Sequence, residues 1–208
     1  MMQWRRDKRK SFIKGIALCA LLLMLGLVAA GCSNVLSQAQ KADKAGDLKS
    51  AVALYRDRLK AEPDDLAALK GLAVDLYLMG AFDEALPVQE KVVALDAKDA
   101  QTRVELGFNY LNHQDDPVKA VAVLGEAAAL EPAAKYLTFL AQAEIAAGDT
   151  QKAEDTLRKA VSADSNYGHA YTVLVGLLER QRRLAEASEL RDAAKSAGVT
   201  IEDGPGPS

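Results

Sequence analysis

Few residues in this 208-residue chain could do chemistry. It has two cysteines, Cys19 and Cys32, and two histidines, His113 and His169. His113 is followed closely by Asp115 and Asp116, a spacing that resembles a metal site only weakly. With no second histidine or thiolate beside it, a solvated loop is the better reading. There is no Ser-His-acid grouping, no glycine-rich phosphate loop, no His-Glu pair on one helix and no cysteine cluster. The sequence therefore reads as a non-enzyme needing no metal or cofactor, with no small-molecule substrate. The rival from another class is an enzyme subunit with an unrecognised site around His113 and its acids, to be tested by replacing His113 and Asp116 with Ala.

Cys32 has a different chemistry in prospect. Arg5, Arg6, Lys8, Arg9, Lys10 and Lys14 precede an uncharged apolar run from Gly15 to Gly31, the layout of an export signal. The run is short for a spanning helix, which wants about 20 apolar residues. It ends in Val28-Ala29-Ala30-Gly31-Cys32. This resembles the lipobox of bacterial lipoproteins, with Ala29 where Leu is more usual, and the resemblance implies cleavage before Cys32 and a lipid on its thiol. Leu18 before Cys19 is too bulky for the same processing. An uncleaved anchor and an ordinary secretory signal are the alternatives, and each also puts residues 33–208 outside the cytoplasm. Losing residues 1–31, which carry +5, would turn a net charge of −3 into −8. An acidic body of that kind argues against nucleic acid as ligand and suits solubility beside a membrane.

The elements that position any site come from one period. Half the residues are apolar, aromatics make up 5%, and Ala, Leu, Lys, Glu and Asp dominate, a composition for packed helices rather than sheet. A small or compact residue recurs at Ala39, Ala73, Gly107, Ala141 and Val175, each 34 positions from the last. A second recurs at Ala51, Ala85, Ala120, Ala153 and Ala187, with one extra residue near Asp115-Asp116-Pro117. Between them lie turn residues, Gly46, Gly80 and Gly148, with Gln114 and Arg182 in the other two units; Pro63 and Pro132 mark stops. Two antiparallel helices joined by a short turn approach closely only where both present small side chains, so each unit reads helix, turn, helix, turn.

The period and its small positions, with Tyr55 in the aromatic place and Ala127, Ala160 and Ala194 in the late small place, resemble the tetratricopeptide repeat (TPR) family. The resemblance implies an all-α, right-handed superhelical solenoid of about five helix-turn-helix repeats, roughly 32–65, 66–99, 100–133, 134–167 and 168–198. Residues 1–31 are then the lipoprotein signal, 32–198 the solenoid and 199–208, ending in Gly-Pro-Gly-Pro-Ser, a flexible tail. Weak end units such as the last, with Val175 and Arg182, fit capping repeats.

In this family the first helix of each pair lines a concave groove for partner peptides or helices. The register implies a groove made by Lys70, Val74 and Tyr77 with Leu78, then Gln101, Val104, Phe108 and Asn112 with Leu111, and then Lys135, Thr138, Gln142, His169 and Arg180 with Ile145, Thr172 and Glu179. Tyr77, Phe108 and Val104 could equally be core residues closing gaps between helices. Val74 and Glu105 stand where a carboxylate-clamp co-chaperone carries Asn, so that type is not matched. The plan looks like the TPR lipoproteins of Tad and type IV pilus assembly, implying a membrane-anchored scaffold or adaptor whose partners are envelope proteins or peptides. A regulator or docking platform for peptidoglycan enzymes or outer-membrane assembly is the alternative. Ser33 after Cys32 favours the outer membrane if the cell has two membranes.

Overall fold

The computed structural model describes residues 35–201, and all regular structure among them is α-helical. Cys19, Cys32 and the proposed signal lie outside the described residues. The helices are α1 (35–44), α2 (Leu48–Ala61), α3 (Leu66–Leu78), α4 (Phe82–Leu95), α5 (Ala100–Asn112), α6 (Pro117–Leu130), α7 (Ala134–Ala146), α8 (Thr150–Ala163), α9 (Gly168–Arg180) and α10 (Leu184–Ser196). They fall into two compact units, the first ending at Ala81 and the second starting at Phe82.

Local chemistry sets the ends. Asp47, Asp65, Asp99 and Asp116 cap α2, α3, α5 and α6, each accepting from a backbone N–H of the first turn, and Pro117 occupies the opening of α6 where its missing N–H is harmless. Asp149 stands at the start of α8 without a side-chain capping bond. Between paired helices the chain must enter the left-handed region, and Gly46, Gly80 and Gly148 do so with φ of 77°, 75° and 88°. In the third pair that residue is Asp115 (φ 51°), a correction to Gln114: the extra residue shifts the turn by one, and the Gln114 amide instead donates to Asp83. Arg182 (φ 63°) takes the place in the last pair. Pro87 is the sixth residue of α4, beyond the first four free N–H groups, so its ring removes a helical bond from the Asp83 carbonyl.

In the first unit Tyr55 is buried against Gly71, where an added Cβ would lie 2.3 Å from the ring. Glycine is required there by the tyrosine. The α2–α3 junction is tied by Arg58, whose Nε donates to Asp65 at 2.6 Å while Nη2 reaches Glu62 at 2.6 Å.

In the second unit α5 and α6 meet over Gly107, whose Cβ, if present, would lie 2.5 Å from Leu124 Cγ. That is the close approach read from the small-residue pattern. Ala100, Leu106, Tyr110, Ala120, Leu124 and Ala127 build the cluster beneath it. Ala134, Ala160 and Ala170 form a smaller cluster among α7, α8 and α9. Leu157, Leu174, Leu177, Leu178 and Ala187 make the core of the last two pairs. α4 joins α5 through a buried amide pair, Asn109 Nδ2 donating to Gln89 Oε1 at 2.9 Å and to the Phe82 carbonyl at 3.0 Å.

Val199 to Ile201, expected to belong to a flexible tail, are packed against the last helices. Gly198 (φ 74°) turns the chain, the Val199 N–H bonds to Ala194 O at 2.9 Å, and Ile201 packs on the final core cluster. Residues 199–201 cover apolar surface that would otherwise face solvent at the end of the array; 202–208 lie outside the described residues.

Candidate protein-binding face

The expected groove residues are placed by α3 in the first unit and by α5, α7 and α9 in the second. On α3, Lys70, Val74 and Leu78 recur every fourth residue and so share a face, with Tyr77 beside them. Val74 is 38% and Leu78 63% exposed, while Lys70 and Tyr77 are half-buried. An apolar strip is open on this helix.

In the second unit α7 packs against both α5 and α9, so the three contribute to one layer. Gln101, Asn112, Lys135 and Arg180 are exposed on it, and Phe108, Gln142 and His169 are half-buried. Two expected residues are core instead. Val104 is 4% exposed, packed in the cluster that contains Leu106 and Ala143, because its position meets the neighbouring helix rather than open space. Thr138 is fully buried, and its hydroxyl is spent on the Ala134 carbonyl one turn back at 2.7 Å.

Phe108 stands edge-on to Phe139 with centroids 4.8 Å apart, an arrangement favoured by the ring quadrupoles. Lys135 Nζ lies 5.8 Å from the Phe139 centroid and 5.9 Å from that of Tyr136, within cation–π range. Phe139 and Tyr136 were missed by the register argument, although the spacing Lys135-Phe139 puts them one turn apart on α7 and was legible. The same helices carry amides. Gln101 Nε2 donates to Glu105 at 3.0 Å, and Gln142 Nε2 lies 3.1 Å from His169 Nε2, with Tyr167 edge-on to the imidazole. Burial first, then the field of Asp99, pushes the Glu105 carboxyl up, against the Gln101 bond.

Elsewhere several charged side chains are engaged in structure. Arg103 holds the start of α5 through the Asp99 carbonyl at 2.9 Å and Glu126 at 3.0 Å. Arg183 pairs with Glu154 and Glu186, and Arg158 with the same two carboxylates. The Arg183 bond and then Arg158 hold Glu154 below the usual carboxylate range in spite of burial. His113 stacks on Phe82 at 3.3 Å, and Asp116 is a helix cap, so both members of the alternative catalytic cluster have packing roles. Among the described residues no group of three or more His, Cys, Asp or Glu could hold a metal, and no helix is long and apolar enough to cross a membrane. A separate hollow on α7 and α8 is lined by Pro132, Leu137, Arg158, Lys159, Ser162 and Ala163.

No family model matches the chain. Its sequence is 29% identical over 180 residues to cellulose synthase operon protein C of Xanthomonas axonopodis pv. citri, an alignment spanning 80% of this chain and 12% of that protein. The chain thus corresponds to about an eighth of the relative's length. A solved structure of MamA superposes with a TM-score of 0.73 at 23% identity, covering 84% of this chain and 98% of the other. MamA of Desulfovibrio magneticus RS-1 gives 0.72 at 19% identity over 79% and 93%. YrrB, a TPR protein with an unusual peptide-binding site, gives 0.68 at 17% identity over 77% and 82%. The fold is therefore that of the TPR solenoids: all-α, in repeated helix-turn-helix pairs.

Proposed function

We propose that this chain is an adaptor that binds extended protein segments on the first helices of its repeats. The observation that carries the reading is the joined patch on α5, α7 and α9, where Phe108 and Phe139 form an aromatic pair beside Lys135, on helices that also carry the amides of Gln101, Asn112 and Gln142. Half-buried aromatics of this sort are rigid anchors for a partner, and nearby amides can bond a main chain that has no helix or sheet of its own. The peptide-binding site of the structural neighbour YrrB supports the same reading by fold analogy.

The finer parts rest on sequence. The Gly31-Cys32 junction after the apolar run supports lipid anchoring at Cys32, outside the cytoplasm, with envelope proteins as partners. Assembly of a pilus or secretion apparatus is the pathway the lipoprotein plan suggests. The test is crosslinking in cells, comparing the wild type with Cys32→Ser and with Phe139→Ala. The adaptor reading requires discrete partners lost in Phe139→Ala while helicity is kept, and anchoring requires that Cys32→Ser leave the membrane fraction. Partners unchanged by Phe139→Ala would refute the site.

A further inference from the structure

We infer that the segment taken by the α5–α7–α9 face carries a carboxylate and a large apolar side chain two residues apart, the acid meeting Lys135 and the apolar group lying on Phe108 and Phe139. This rests on the peptide-binding reading above and names its ligand chemistry.

Several cations of the second unit are spent on the chain's own carboxylates. Arg103, Lys119, Lys152, Arg158, Arg183 and Arg191 each sit within ion-pair distance of a carboxylate of the chain itself. Lys135 is exposed at the first turn of α7 and is held over two aromatic rings, with no carboxylate among the described residues in ion-pair reach. Its charge is thus displayed on the face rather than consumed, on a chain whose net charge is −3. Of the carboxylates near this face, Glu179 pairs with Arg191 at 2.6 Å, Glu105 accepts from Gln101 at 3.0 Å, and Asp99 caps α5 through Thr102.

Geometry sets the spacing. Lys135 Nζ lies 5.8 Å from the Phe139 centroid, and Phe108 extends the apolar patch beyond it. Side chains on one face of an extended chain repeat every two residues, about 6.6 Å apart. An acid at one position and Phe, Trp or Leu two residues away would reach both features together. An extended chain also has free N–H and C=O groups for the spare amide capacity of Gln101, Asn112 and Gln142, which a helical ligand, bonded to itself, cannot use.

The test uses the full chain and phage-displayed random dodecapeptides, selected in parallel on the wild type, Lys135→Glu and Phe139→Ala. A glutamate in the first turn of α7 agrees with the helix dipole, so Lys135→Glu keeps the fold, to be checked by circular dichroism. The wild type is expected to enrich Asp or Glu two residues from Phe, Trp or Leu. Lys135→Glu should keep the apolar preference, replace acid by Lys or Arg, and weaken a synthetic peptide with an Asp-Ser-Phe core roughly tenfold. Phe139→Ala should lose the apolar preference. The same acidic consensus on Lys135→Glu, or a consensus that binds only as a helix, overturns this inference while leaving a peptide-binding face. No enrichment on the wild type, or peptides bound equally by Phe139→Ala, overturns the adaptor site and this inference with it.

Discussion

Asp75 gives the sharpest test of the packing described here. The side chain is fully buried in α3, where no amide, hydroxyl or cationic donor reaches its carboxylate and the carboxyl of Asp43 faces it. The ionisable groups facing it within the first unit are Asp43 and Tyr55, whose phenol is itself pushed up to about 12 by burial and then by the fields of Asp43 and Asp75. Burial first, and Asp43 second, raise the Asp75 carboxyl from 3.8 to about 6. A raised folded pKa means that the protonated form is the one the fold tolerates. Its stability contribution is complete below 3.8 and is lost as pH rises through about 6. With 1.36 kcal/mol per unit, ionisation costs about 3 kcal/mol at pH 7.5 and about 1 kcal/mol at pH 4.5. Asp75→Asn removes that ionisation, at some fixed cost for a buried amide. Urea unfolding followed by circular dichroism, on wild type and variant at both pH values, measures the change in their difference, in which the fixed cost and the titrating groups not coupled to Asp75 cancel. The variant should gain about 2 kcal/mol on the wild type between pH 4.5 and pH 7.5. A difference that does not change with pH would refute the reasoning, because Asp75 would then be ionised at no cost, with a partner unaccounted for. Asp43→Asn should act with the same sign and a smaller size.

Gly107→Val forces side-chain atoms into the space of Leu124 and should destabilise the second unit by about 1–3 kcal/mol in the same unfolding assay. Arg183→Ala leaves the nearly buried Glu154 with Arg158 alone, and its effect should depend on acid. Because Arg183 holds the Glu154 carboxyl down, the stability it confers is present above pH 4.5 and lost as pH falls through the lowered value, so wild type and variant should converge at low pH. Gly168→Ala places a methyl 2.6 Å from the Thr200 carbonyl and should release residues 199–201, seen as faster amide exchange at Val199 while the α9 core stays protected.

Much of this fold was written in spacing. A 34-residue recurrence of small residues has one physical cause, helices approaching closely, and Gly107 against Leu124 is that cause in atomic form. The caps at Asp65 and Asp99, whose carboxylates satisfy free N–H groups, were not read from the sequence. The turn at Asp115 was misplaced by one residue, since an insertion shifts the register without saying where the chain takes up the slack. The packing of Val199 and Ile201 was hidden because an apolar residue after a helix looks the same whether it packs back or floats. For the face, register found Phe108, Lys135 and Gln142 but assigned Val104 and Thr138 outward. Which of two adjacent positions meets the neighbouring helix depends on how the repeats rotate against each other, and no single repeat encodes that rotation.

The most direct test of the binding face is site-specific photocrosslinking in cells. Benzoylphenylalanine is placed at Asn112, exposed on α5 beside the aromatic patch, or at Asp155, exposed on α8. A partner engaged along α5, α7 and α9 predicts defined adducts from position 112 and none from 155, lost again when Phe139→Ala is added. Adducts from 155 alone, or adducts from 112 that persist without the Phe139 ring, would contradict the account.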